Sequence, residues 1–258
     1  MRLMMDLTTF DISAIIPFIL VGFAAQLVDG ALGMAFGVIT STLLVGVLGV
    51  PPAQASAKTH LVEVFTTGVS GINHLIHKNV DSGLFFRLLV PGVIGGVLGA
   101  YALTNIDAAV VKPYVLAYLA GIGLWLLWRG LDHNPHIKDP KIVAPLGFIG
   151  GFLDAAGGGG WGPVVTSNLL IQGAEPRKVI GTVNSVEFFL TLTISATFIW
   201  NLGLEQFSTA VIGLLIGGVA AAPLGAVLAK RVPAKTLLLM VGVVLTLTSS
   251  YGIYRAIS

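Results

Sequence analysis

The chain lacks cysteine altogether, which excludes disulfides, thiolate metal sites and thiol catalysis. It is poor in charge: Asp, Glu, Lys and Arg make up 10% of its 258 residues, against about 25% in a soluble domain. A formal net charge of +2 leaves no basic surface for nucleic acid, which is not an expected partner. The phosphate-binding pattern GxxxxGK[ST] is absent, as are the nucleophile elbow GxSxG and the zinc motif HExxH. No hydrolase, ATP-driven pump or cofactor enzyme is therefore indicated, and no cofactor or metal is expected. The first eleven residues, MRLMMDLTTFD, carry two acids and one arginine, a poor start for a cleavable signal peptide.

What is abundant is apolar. Hydrophobic residues reach 55%, mean hydropathy is +0.92, and 33 residues are glycine. A water-soluble fold of this size could not cover that much apolar surface, so the composition reads as an integral membrane protein. A spanning helix needs about 20 largely apolar residues. Ten hydrophobic segments follow, at 12–28, 31–49, 56–76, 86–106 and 112–129, then 142–155, 160–173, 178–200, 207–229 and 236–254. Between the fives lies GLDHNPHIKDPK, the one strongly polar stretch.

The chain says nearly the same thing twice. FAAQLVDGALGMAFGVITSTLL in the first half resembles FIGGFLDAAGGGGWGPVVTSNLL in the second. Asp29 aligns with Asp154 at an offset of 125, and Glu63 with Glu187 at an offset of 124. Five segments is an odd number, so the copies are expected to be inverted across the membrane. The expected organisation is a first transmembrane repeat at 1–130, a cytoplasmic linker at 131–141 and a second transmembrane repeat at 142–258. Placing Lys78 and Arg87 in the cytoplasm and alternating from there puts ten Lys and Arg inside and four outside, the sense of the positive-inside rule. Both termini then face outward. The fold class expected is an all-α membrane protein of two inverted repeats, with helices broken or re-entrant at glycine-rich interruptions, tolerated where backbone lines a protein-buried cavity.

The candidate functional residues cluster at those interruptions. Asp29 and Asp154 sit at the break of each half. An ionised aspartate at mid-bilayer costs at least about 2.5 kcal/mol, so each is paired, protonated or wet. They read as proton or cation sites, as caps of the helix that follows, or as both. Glycine-rich backbone at Gly33 and at Gly158, Gly159 and Gly160 can approach a ligand closely, or can pack helices tightly. The aromatic after each break is kept, as Phe36 and Trp161. Thr40, Ser41, Ser167 and Asn168 could hydrogen-bond an oxyanion, or bond their own backbone. On the third segment of each half, His60 and Asn184 precede Glu63 and Glu187 by three residues, on one helix face. His60 with Glu63 makes a candidate proton-carrying pair. Asp29, Glu63, Asp154 and Glu187 are thus the proton-coupling candidates. Lys58 reads as an anion counter-charge or an interfacial lysine. His74, His77 and Asn73 read as an interfacial cluster, and Tyr114, Tyr118, Trp125 and Trp128 as an aromatic belt.

QLVDGALGMAFGV (26–38), PAQASAKTHLVEVFTTGVSGINHLIHKNVD (52–81) and GGGGWGPVVTSNLL (157–170) resemble the TauE/SafE family of sulfite and organosulfur-anion permeases. The likeness runs over nearly the whole chain. It implies a multi-pass protein of the bacterial cytoplasmic (inner) membrane. It also implies a secondary transporter of a small anion, coupled to protons or another ion. Lipid surrounds such a chain, and a homodimer is a candidate assembly. The expected mechanism is alternating access around a mid-membrane site between the repeats. Four buried acids also admit another reading, a divalent-cation transporter using the carboxylates and His60.

Overall fold

The computed structural model describes residues 12–32, 34–131, 140–204, 209–231 and 234–257, and every regular element among them is helical. Helix α1 (Ile12–Leu32) leads to the first break. Helix α2 (Phe36–Thr42) follows and continues through a π-helical turn, Leu43–Val47. Then come α3 (Pro52–Ile76), α4 (Ser82–Thr104) and α5 (Ala108–Leu131). The second half repeats the order. Helix α6 (Ala144–Gly157) ends at the second break, and a π-helical turn, Trp161–Thr166, runs into α7 (Ser167–Ile171). Helices α8 (Pro176–Leu202), α9 (Thr209–Arg231) and α10 (Ala234–Ile257) complete it. The ten segments expected from hydropathy are the ten helical runs seen, with ends shifted by a few residues.

Local chemistry explains the boundaries. Helices α3 and α8 open on a proline, whose missing N–H costs nothing in the first turn. Asp81 caps α4 by accepting Leu84 N–H at 2.8 Å, and Asp107 accepts Ala109 N–H at 2.7 Å ahead of α5. Helix α6 stops at Gly158, whose φ of 74° is left-handed.

The surface is apolar and the interior is mixed, the pattern of a protein solvated by hydrocarbon. Trp200, Tyr114, Val219 and Ile76 are each more than two-thirds exposed, while His60, Thr59, Ser56 and Thr182 are fully buried. Among the described residues three stretches are long and apolar enough to cross a membrane: Ser82–Thr104, Ala108–Trp128 and Lys178–Leu202.

Helix pairing follows a two-fold pattern of exchange between the halves. Helix α1 packs on α9 and α6 packs on α4; α3 meets α8 and α5 meets α10. Small residues make these approaches close. Any side chain added at Gly95 or Gly99 of α4 would run into the carbonyls of Phe148 and Phe152 on α6. On the α1–α9 seam, Gly217 sits against the Ile19 carbonyl in the same way. The pattern departs from two-fold most clearly at α4. Helix α4 also packs along α8, whereas its counterpart α9 touches α3 only sparsely.

Candidate functional site

The two breaks meet at the centre of the molecule. The backbone of Gly159 lies against Gly37 and Val38, and Ser41 Oγ donates to the Gly158 carbonyl. Tyr118 OH donates to the Gly159 carbonyl at 3.0 Å, so this tyrosine faces inward and does not belong to the aromatic belt where the sequence reading put it. Each break is closed by its aspartate in the same manner. Phe36 N–H donates to Asp29 Oδ1 at 3.2 Å, and Trp161 N–H donates to Asp154 Oδ1 at 2.9 Å. Both aspartates therefore cap the helix start seven residues on, satisfying one of its orphan amides.

Beyond the cap the two sites part. Asp154 is 2% exposed, and its second oxygen lies 3.1 Å from His60 Nε2. The other imidazole nitrogen, Nδ1, sits 2.8 Å from the Ser56 carbonyl, which can only accept. Ser56 Oγ gives its proton to the Ala155 carbonyl at 2.7 Å. Nδ1 also lies 3.2 Å from Ser56 Oγ. Imidazole and carboxylate are thus held as a buried hydrogen-bonded pair across the halves. Sequence spacing pairs His60 with Glu63 on its own helix. The structure joins it across the halves to Asp154, because α6 ends directly against α3.

On the other side lies a polar cavity of about 210 Å³. Gln26 and Asp29 of α1, Phe36, and Asn184 and Glu187 of α8 line it, together with a stripe from α3 made of Glu63, Thr66, Thr67, Ser70 and His74. The stripe spans eleven residue steps, about 16 Å of rise. Glu63 anchors its inner end. This carboxylate is 4% exposed, takes a backbone hydrogen bond from Gly37, and leaves Oε2 without a partner. Gln26 Oε1 is buried and unpartnered as well. Asp154, Glu187 and Asp29 all lie close enough to Glu63 for their charges to act on it. Higher up, Ser70 Oγ donates to Asn184 Oδ1 at 3.3 Å, while Asn184 Nδ2 donates to the Ile180 carbonyl at 3.0 Å.

The cavity thus gathers Asp29, Phe36, Glu63, Asn184 and Glu187 of the residues expected from sequence. In this conformation the others stay outside its lining. Asp154, His60 and Trp161 are sealed, with Trp161 fully buried and its Nε1 donating to the Val183 carbonyl at 3.2 Å. Gly158, Gly159 and Gly160 are spent on the contact between breaks and on Tyr118. Ser167 Oγ reaches Met34 Sδ at 3.9 Å, and Asn168 Nδ2 bonds the Val164 carbonyl at 2.7 Å. Thr40 is fully buried with an unpartnered hydroxyl. Gly33 lies outside the described residues. Lys58 is not part of the cavity wall. Sequence reasoning does not single out Gln26, Thr66, Thr67 or Ser70, and it places His74 in an interfacial cluster, whereas all five line the cavity. The spacing Glu63, Thr67, Ser70, His74 is a polar helical face that could have found them.

The comparisons with known proteins agree with one another. The family model described as "Sulfite exporter TauE/SafE" matches residues 18–252. A Bacillus subtilis (strain 168) protein named "Probable membrane transporter protein YtnM" is 42% identical over 237 residues, covering 88% of this chain and 79% of its own length. A Haemophilus influenzae protein named "Probable membrane transporter protein" is 24% identical over 213 residues, 76% of this chain and 81% of that one. No solved structure gives a significant match.

Proposed function

The chain belongs to the TauE/SafE family and is a membrane transporter, and we propose that it is a secondary transporter of a small anion, sulfite or a sulfonate, coupled to protons. One observation carries this reading. Two carboxylates, Asp29 and Glu63, sit on the adjacent amides of Phe36 and Gly37 at the inner end of the cavity. Successive backbone N–H groups at a helix start form a concavity suited to an anion, and here the protein's own carboxyl groups occupy it. Protonating either carboxylate weakens its hold on the amide and removes a negative charge from the cavity. An incoming oxyanion then finds both a donor and a lower repulsion. Binding of anion and proton are thereby linked, each favouring the other.

The membrane arrangement goes with it. We place the protein as a multi-pass component of the bacterial cytoplasmic membrane, with repeats at 1–130 and 142–258 inverted about the linker 131–141. The exchange pattern of helix pairs supports this. So do the lengths of α6, 14 residues or about 21 Å, and of the run that follows it. Both fall short of a hydrocarbon core of about 30 Å, as re-entrant halves do. With Lys78 and Arg87 in the cytoplasm, the stripe from Glu63 to His74 makes the cavity open inward.

A second reading, a divalent-cation transporter, rests on three carboxylates lining one cavity, although among the described residues no three acids or histidines are grouped closely enough to hold one ion. Sulfite uptake into proteoliposomes, with and without a pH gradient, separates the two. Anion flux that drives protons, unaffected by chelators, is the expected result. Thermal stabilisation by divalent metals alone, lost in Glu63→Gln, would replace the anion reading with the cation one. Reconstituted protein that moves no solute under any gradient would sink both.

A further inference from the structure

We infer that Leu190, Ile194 and Phe198 of α8 form the closed gate of a second, outward cavity whose floor is Asp154, His60 and Trp161. The inference rests on the alternating-access reading above and adds to it which residues seal the opposite path.

The duplication supplies the coordinates of that path. The offsets of 125 at the breaks and 124 on the third segment convert each residue of the open cavity into a partner in the other half. Asp29 becomes Asp154, Phe36 becomes Trp161 and Asn184 becomes His60. The polar stripe Thr66, Ser70, His74 becomes Leu190, Ile194, Phe198. All six converted residues are at most 2% exposed. His60 joins two of them: its ring centroid lies 6.2 Å from that of Phe198, and its Nε2 meets Asp154 at 3.1 Å.

The lid over them is α4. Gly96 of α4 faces the side chains of Leu190 and Ile194, and Gly92 faces the indole of Trp161, each so closely that an added methyl would collide. This is the clearest departure from the two-fold pattern. Helix α4 is shut on α8, while α9, its counterpart, stands away from α3 and leaves the open cavity beside it. Opening the second path means parting α4 from α8, and closing the first means bringing α9 onto α3. The seal is apolar where the open cavity is lined by hydroxyls and an imidazole, so it excludes water when shut and gates by wetting.

The chain has no native cysteine to compete with an introduced one. Ser70→Cys and Ile194→Cys are each reconstituted in oriented vesicles and exposed to a membrane-impermeant thiol reagent from either face. Ser70→Cys should react from one face only. Ile194→Cys should be protected at rest and react from the opposite face, at least tenfold faster, when a sulfite gradient drives turnover. A second arm needs no solute: Phe198→Ala added to Ile194→Cys should expose the thiol at rest from that same opposite face, and Leu190→Ala serves if Phe198→Ala does not fold. Reaction of Ile194→Cys from the Ser70 side would overturn the gate. So would protection undiminished by loss of the Phe198 or Leu190 side chain. Absence of sulfite flux with the second arm positive would instead remove the anion reading and leave the gate in place.

Discussion

The two breaks share one device and differ in what surrounds it. Each closes on an aspartate that accepts the amide seven residues ahead, at 3.2 Å for Asp29 and 2.9 Å for Asp154. Around Asp29 the wall is a cavity, with Gln26, Glu63 and Glu187 as neighbours. Around Asp154 the wall is solid, and an imidazole fills the space that Asn184 leaves open on the other side. A repeated sequence element therefore sits in two different settings: one copy faces a polar cavity and the other is packed solid. The substitutions that distinguish the copies, His60 for Asn184 and Phe198 for His74, lie where that difference is made.

The comparison can be broken most forcefully at the sealed copy. His60→Ala leaves a buried Asp154 oxygen without its partner and should cost about 3–5 kcal/mol, read as a large fall in the thermal midpoint of the detergent-solubilised protein. Asn184→Ala, at the matching place on the open side, removes the partner of Ser70 and should cost about 1 kcal/mol. Equal losses would mean the two breaks are not differently loaded. At the open copy the signature is pH. If one proton enters with the anion, apparent affinity for sulfite rises about tenfold for each unit the pH falls, in the range where the carrier carboxyl is ionised without solute. Glu63→Gln should flatten that slope, measured by solute-dependent thermal shift across pH, while leaving binding itself detectable. Asp29→Asn keeps an acceptor for Phe36 N–H and should change stability by less than about 1 kcal/mol, where Asp29→Ala loses the cap and costs about that much. The smallest effect is expected at Ala35, whose φ of 94° is left-handed where its counterpart in the second half is Gly160. Ala35→Gly should stabilise by about 1 kcal/mol or less, and a destabilisation would show that the strained backbone is held for another reason.

The segments were legible because each depends on a property of its own stretch of chain. Runs of apolar residues about as long as a bilayer is thick, and prolines or aspartates at their ends, are local signals. The capping role of Asp29 and Asp154 was legible for the same reason, since an acid followed by small residues is a local motif. Partners were not. His60 has Glu63 three residues away on its own helix, and the sequence offers no sign that α6 delivers Asp154 instead. Tyr118 looks like any aromatic near a membrane surface until Gly159 is brought beneath it. The serines and threonines of 40–42 and 166–167 look alike in the two halves, yet Ser41 is committed to Gly158 and Ser167 to Met34. The cavity wall on α3 was within reach of a periodicity argument, because Thr67, Ser70 and His74 extend the face of Glu63. They were passed over because each alone is a common residue in a common place.

The glycine seam between α4 and α6 has a mechanical consequence. Backbone so tightly joined would travel as one body: on the proposed parting of α4 from α8, α6 would follow and carry Asp154 with it, while His60 belongs to α3. The proposed opening would thereby break the contact between that carboxylate and that imidazole.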